Sequence, residues 1–237
     1  MPRDPFDTTR WSVVIAAGAS DSRTRQAALD VLFRTYWFPL YGYIRRRGHD
    51  SADASDLLQS FLLSLIERND LRKLSPERGR FRAFLLAALR NFLENQRVHG
   101  AALKRGGGVR PASFDSMKAE ERFLAEPVAP GTPETAFDRT WALAVLDVTF
   151  GRIRLEWEAK GRAREFDLLK AGLVGDLPAE GFKALAVQLG TSEAAAKMAT
   201  QRLKTRFGQE LRREIGETAA PGEVDDELRY LLGALQG

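Results

Sequence analysis

Six polar side chains between positions 192 and 204 have the types and the spacing needed to bind duplex DNA. They are Ser192, Glu193, Lys197, Thr200, Gln201 and Lys204. Hydroxyl and ammonium groups contact phosphate oxygens, and amide groups pair with base edges in a major groove. Because most of these positions recur at three- and four-residue steps, one helix would carry them on its polar face.

The flanking sequence predicts a helix-turn-helix that would position this face. Leu185, Ala186 and Leu189 give a first helix an apolar side, and Gly190 supplies the turn. Ser192 is a favourable N-cap for the second helix. That helix would bury a stripe made of Ala196, Ala199, Leu203 and Phe207. An ordinary helical hairpin with a solvated polar face is the alternative interpretation.

A second candidate surface lies between positions 78 and 110. Its cationic side chains are Arg78, Arg80, Arg82, Arg90, Arg97, Lys104, Arg105 and Arg110, and Glu94 is the one acid. This excess of positive over negative side chains favours contact with a phosphate backbone, although a solvated basic face would have the same composition. Phe81, Phe84 and Phe92 are interleaved at a spacing that suits a core as well as base stacking.

Composition excludes several other functions. The 237 residues contain no cysteine and only two histidines, His49 and His99, which lie far apart. Thiolate chemistry is therefore excluded, and we expect neither a metal site nor a cofactor. No apolar run has the length to span a membrane, and the first residues lack the apolar core of a signal peptide. We expect a cytoplasmic protein without membrane insertion.

The hydrophobic periodicity predicts an all-α fold with two small helical domains. Apolar residues recur at helical spacing over 29–44, 57–66 and 81–93, which indicates a three-helix bundle within a first domain at 1–105. A run of three glycines at 106–108 and four prolines then predict a flexible linker at 106–133. Thr132, Pro133 and Glu134 would open the second domain, at 134–216. A C-terminal helical extension would follow at 217–237.

Together, these segments resemble the sigma-70 family of bacterial RNA polymerase subunits, specifically the extracytoplasmic-function (ECF) type. The stretch 53–61 is similar to the family's polymerase-binding helix, and 79–91 is similar to the helix that leads into promoter melting. The stretches 36–41, 45–48 and 104–108 suggest one subgroup of the family. The helix-turn-helix at 185–204 is similar to the module that reads the −35 promoter element.

The resemblance implies a sigma factor that directs core RNA polymerase to promoter DNA and assists its opening. The polymerase-binding residues would be Asp53, Asp56, Gln59 and Phe61. Contacts to the −10 element would come from Arg90, Asn91, Arg97, Lys104 and Arg105. The six polar residues of the helix-turn-helix would contact the −35 element.

This sequence departs from the family pattern at two serines and in one basic segment. The usual acidic pattern has a glutamate where this chain has Ser55, and often another in place of Ser60. Phosphorylation of either serine would restore the negative charge, so a kinase is a candidate partner beside an anti-sigma factor. The segment before the helix-turn-helix is also longer and more basic, over Lys160 to Arg164.

Two other functions fit part of the sequence. A DNA-binding transcription regulator that does not act as a polymerase subunit would use the helix-turn-helix but would leave the basic first domain unexplained. A helical hydrolase would use paired carboxylates, either Asp53 with Asp56 or Glu120 with Glu121. No histidine, nucleophile or metal motif accompanies either pair, so we do not predict an enzyme.

Overall fold

The structure, a computed structural model, describes residues 22–67, 80–98, 116–126, 131–175, 181–216, 219 and 222–236. Its helices are α1 (Ser22–Arg46), α2 (Ser51–Glu67), α3 (Phe81–Val98), α4 (Ser116–Ala125), α5 (Pro133–Glu158), α6 (Ala163–Val174), α7 (Phe182–Leu189), α8 (Glu193–Gly216) and α9 (Val224–Gln236). These residues contain no strand, and the predicted all-α fold is confirmed.

The chain divides into two compact units whose boundaries differ from those that we expect from the sequence. The first unit combines Met1–Ala144 with Ile215–Gly237, and the second is Val145–Glu214. The C-terminal segment therefore belongs with the first unit, although the sequence indicates only an extension after the second domain. Hydrophobic periodicity shows that a segment is helical but not which neighbour covers it.

In the first unit, the three predicted amphipathic helices α1, α2 and α3 share a core. Tyr36 and Phe81 meet edge to face with ring centroids 5.3 Å apart, and Phe61 and Phe92 lie 5.6 Å apart. Leu40 is completely buried. The phenylalanines of the basic segment thus pack on apolar neighbours, which favours the core interpretation of their spacing over base stacking.

Helix α4 lies within the segment that we predict as a linker. Arg45 binds Glu120 at 2.8 Å, and Arg46 binds Glu126 at 2.6 Å. Both guanidinium groups also lie over the ring of Phe123, at 4.8 and 5.0 Å from its centroid. The basic end of α1 therefore holds α4 through charge pairs that are far apart in sequence, where periodicity gives no signal.

The second unit places α7 and α8 around a single glycine. Gly190 has φ of 63°, in the left-handed region where glycine is favoured, and it caps α7. Ser192 Oγ accepts a hydrogen bond from the backbone N–H of Ala195 at 3.2 Å, so the predicted N-cap is confirmed. Leu185, Ala196 and other apolar residues of α6, α7 and α8 form one buried cluster.

No helix in the part of the chain that the structure describes has the length and apolar character to cross a membrane.

Candidate nucleic-acid interface

Five of the six predicted −35 residues are exposed, four of them on the polar face of α8 and one at its N-cap. The exposed residues are Ser192, Glu193, Lys197, Gln201 and Lys204. Steps of three or four residues separate the last four, so they form one stripe along the helix. Thr200 differs, because it is only 7% exposed, and its side chain lies too deep to contact DNA directly without rearrangement.

Glu193 and Lys197 form an ion pair within this stripe. Their side chains meet at 2.6 Å, and both are about half exposed. The hydrogen bond from Lys197 holds the pKa of Glu193 below its ordinary value. Exposed pairs at this spacing contribute little to stability, so phosphate can compete for Lys197 at small cost.

An open cavity of about 450 Å³ lies next to this helix within the second unit. Its lining includes Arg162, Arg164 and Arg202, with Thr191 from the turn. Glu165 also lines this cavity and pairs with Arg162 at 2.5 Å, so Arg164 and Arg202 supply the net positive charge beside α8, where a phosphate backbone would approach a recognition helix. The sequence indicates this feature only through the basic stretch 160–164, which lies outside the residues predicted to bind DNA.

Helix α3 exposes the described members of the predicted −10 set. Arg90 and Asn91 are adjacent and exposed, and Arg97 is exposed near the end of the helix. Arg97 pairs with Glu94 at 2.7 Å across one turn, with both side chains more than half exposed. Lys104 and Arg105 lie outside the described residues. The exposure of Arg90, Asn91 and Arg97 agrees with their place in the predicted set.

Two arginines at the start of α3 have intramolecular partners. Arg80 binds Glu227 at 2.9 Å, and Arg82 binds Glu227 at 3.2 Å and also Asp138. Arg82 is nearly buried, with 7% of its side chain exposed. Neither arginine is a free surface cation in this arrangement, which the local charge count does not predict.

Three of the four predicted polymerase-binding residues share the exposed side of α2. Asp53, Asp56 and Gln59 are exposed, and Asp50 caps the helix by accepting the backbone N–H of Asp53 at 2.8 Å. Phe61 is 1% exposed and packs against Phe92, so it supports α2 from the core and presents no surface to a partner. The helix therefore offers an acidic, polar face.

The two serines of α2 lie in different environments. Ser55 is buried, and its hydroxyl donates to the carbonyl oxygen of Ser51 at 3.0 Å. Ser60 is exposed. Only Ser60 is accessible to a kinase without local opening of the helix, a difference that the sequence pattern does not reveal.

The members of one carboxylate pair considered for hydrolysis, Glu120 and Glu121, lie in different surroundings. Glu120 accepts hydrogen bonds from Arg45 and from the hydroxyl of Tyr41, while its neighbour Glu121 is exposed. Burial raises the pKa of Glu120, but these donors outweigh it and leave the pKa below its ordinary value. Within the described ranges, no group of three histidine or acidic side chains is arranged to hold a metal ion.

Residues 32–98 match the family model for sigma-70 region 2. This range covers most of α1, all of α2 and all of α3, and it represents less than half of the chain. Searches of curated proteins and of solved structures found no match. The match shows that this segment is similar to region 2 of sigma-70 proteins.

Proposed function

We propose that the chain is an RNA polymerase sigma factor of the ECF type, which directs core polymerase to promoters and assists DNA opening. The match of 32–98 to sigma-70 region 2 is the observation that carries this proposal. It coincides with three helices that share one core, and two helices joined at Gly190, the second with an exposed polar stripe, follow in the second unit.

In this proposal each surface has a separate task. The stripe of Lys197, Gln201 and Lys204 contacts the −35 duplex, where lysines bind phosphates and the amide reads base edges. Arg90 and Arg97 lie along the opened −10 strand, because cationic grooves follow single-stranded backbones. The acidic face of α2 binds a basic surface of core polymerase.

A helix-turn-helix regulator that never joins the polymerase is the second candidate. It accounts for α7 and α8 but not for the region 2 match over α1 to α3. We therefore favour the sigma factor.

The direct test is reconstitution of transcription. The purified chain is mixed with core polymerase and genomic DNA fragments, and the 5′ ends of the transcripts are sequenced. We expect initiation to gather at sites that share two sequence elements, and core polymerase alone provides the baseline. Failure to change initiation with active core polymerase from the same bacterium would overturn the proposal.

Promoter opening is tested separately from docking. Replacement of Arg97, Lys104 and Arg105 by alanine should reduce permanganate reactivity of −10 thymines while retaining core polymerase in a pull-down. Lys160→Ala, an exposed substitution in the second unit, serves as the charge control. Normal opening by the triple variant would refute the assignment of these residues to the −10 strand.

A further inference from the structure

The carboxylate of Glu227 on α9 bridges two arginines at the start of α3. Its Oε2 atom lies 2.9 Å from Nε of Arg80, and its Oε1 atom lies 3.2 Å from Nε of Arg82. Only 2% of the Glu227 side chain is exposed. One anionic group is thus held between two guanidinium groups, the arrangement by which arginines bind a phosphodiester.

Aromatic rings complete the surroundings of Arg82. Its guanidinium carbon lies 4.0 Å from the ring centroid of Tyr230 and 4.8 Å from that of Trp141. The Tyr230 hydroxyl donates to Asp138, which also binds Arg82. Arg82 thus contacts a flat ring and an anion side by side. A base and its phosphate would present the same two groups to an arginine in single-stranded nucleic acid.

The charges of Arg82, Glu227 and Asp138 explain why α9 stays bound at the start of α3. Burial lowers the pKa of Arg82, but Glu227 and Asp138 outweigh that effect and raise it. A buried arginine needs such partners, since removal from water is costly for an unpaired charge. An anion of another molecule could replace Glu227 only if α9 moved away, because Glu227 and Tyr230 occupy the space around Arg82.

We propose that Arg80, Arg82 and Trp141 form a nucleotide subsite for single-stranded DNA, and that α9 covers it with Glu227 in the place of a phosphate and Tyr230 in the place of a base. The proposal deepens the proposed function, on which it rests, by extending the −10 strand-binding surface to the start of α3. The strand and α9 exclude each other at this subsite.

Binding of a labelled single-stranded oligodeoxynucleotide to the full chain, followed by fluorescence anisotropy, tests this competition. Glu227→Gln should weaken the cover and tighten binding by about threefold to tenfold, because apparent affinity follows the fraction of open subsites. Tyr230→Ala should act in the same direction. Unchanged or weaker binding by both variants would overturn the proposal.

Asp226→Asn is the matched control, since it removes one acid from an exposed position of the same helix. A gain equal to that of Glu227→Gln would assign the effect to net charge and refute the covered subsite. Adding Arg80→Gln to Glu227→Gln should abolish the gain, whereas persistence of the gain would place the strand elsewhere. Circular dichroism of each variant checks that helicity is retained.

A second measurement leaves the contacts of Glu227 and Tyr230 with the two arginines unchanged. The chain has no cysteine, so Leu232→Cys creates a unique labelling site at a half-exposed position of α9. An environment-sensitive dye at this site should change its emission when the oligodeoxynucleotide saturates the protein. An unchanged signal at saturation would contradict displacement of α9.

These measurements use the chain without polymerase, so their results can be distinguished from the results of the transcription test. Promoter-dependent initiation by the parent, together with unchanged binding in the Glu227 variant, would remove the subsite and leave the sigma-factor proposal intact. An Arg80-dependent gain in binding without initiation would keep the subsite and remove the sigma-factor proposal.

Discussion

Phe150 and Phe207 stack with ring centroids 4.4 Å apart and ring planes at 29°. They join the part of α5 that belongs to the second unit to the middle of α8, 17 residues after Gly190. This contact fixes the helix that carries the proposed DNA-binding stripe.

Phe207→Ala should destabilise the second unit by about 2–3 kcal/mol, slightly less than for a fully buried phenylalanine. The loss combines apolar burial with the stacking contact. Thermal unfolding followed by circular dichroism measures the change. Gln209→Ala, an exposed substitution on the same helix, should leave the unfolding midpoint nearly unchanged, and an equal effect of both would contradict the packing role.

Replacing Lys197, Gln201 and Lys204 by alanine should weaken binding to a −35 duplex and flatten its dependence on salt. Loss of two lysine–phosphate contacts would lower the slope of log affinity against log salt by about two. Electrophoretic mobility shifts at several salt concentrations provide the measurement. Thr200→Val should have a much smaller effect because Thr200 is buried, and unchanged binding by the triple variant would remove α8 as the reading helix.

Reversing the charges of Asp53 and Asp56 to lysine should weaken capture of core polymerase by about tenfold or more, since like charges would then face each other. Both residues are exposed, so the fold should be retained. Glu121→Lys, on a different exposed surface, is the control. If the Asp53→Lys, Asp56→Lys variant captured as much core polymerase as the parent, α2 would have no role in polymerase docking.

Glu120→Gln should lower stability at neutral pH, because Glu120 loses its charge-assisted bonds to Arg45 and Tyr41. The folded-state pKa of Glu120 is depressed, so its contribution is present above the ordinary pKa and is lost as pH falls through the lower, folded value. Parent and variant should therefore converge in urea unfolding at acidic pH. A difference in unfolding free energy between parent and variant that stays constant down to acidic pH would disprove the ionic contribution.

Ser55→Glu and Ser60→Glu should have opposite consequences. The first places a charge in a buried position and should cost about 2 kcal/mol or more of stability. The second adds an exposed charge to the acidic face and should raise polymerase affinity if missing charge limits docking. Chemical unfolding and pull-downs at moderate salt measure the two effects. A Ser60→Glu variant with affinity no higher than the parent would leave phosphorylation without support.

Local patterns predict the helices and caps well because both depend on near neighbours in sequence. The apolar steps from Leu29 to Ile44 correspond to α1, and Ser192 caps α8 as its position suggests. The helix expected in the C-terminal extension at 217–237 is α9. Each of these features is set by interactions within about one helical turn.

Pairing between distant segments could not be read from the same patterns. The sequence groups Arg82 with surface cations. In the structure Arg82 is buried, and its acidic partners Asp138 and Glu227 lie 56 and 145 positions away. Thr200 fits the polar face by its type, but its position on α8 turns it inward. Burial depends on which elements meet, and composition alone does not determine that.

The bond between Arg82 and Glu227 also orders events during synthesis. At ribosomal rates of ~5–20 residues per second, the 145 positions between them take roughly 7 to 30 s to translate. The whole Val145–Glu214 unit emerges in that interval. Until Glu227 is translated, Arg82 has only Asp138 as an acidic partner in this cluster, so the first unit reaches its final packing only after the whole second unit has been translated.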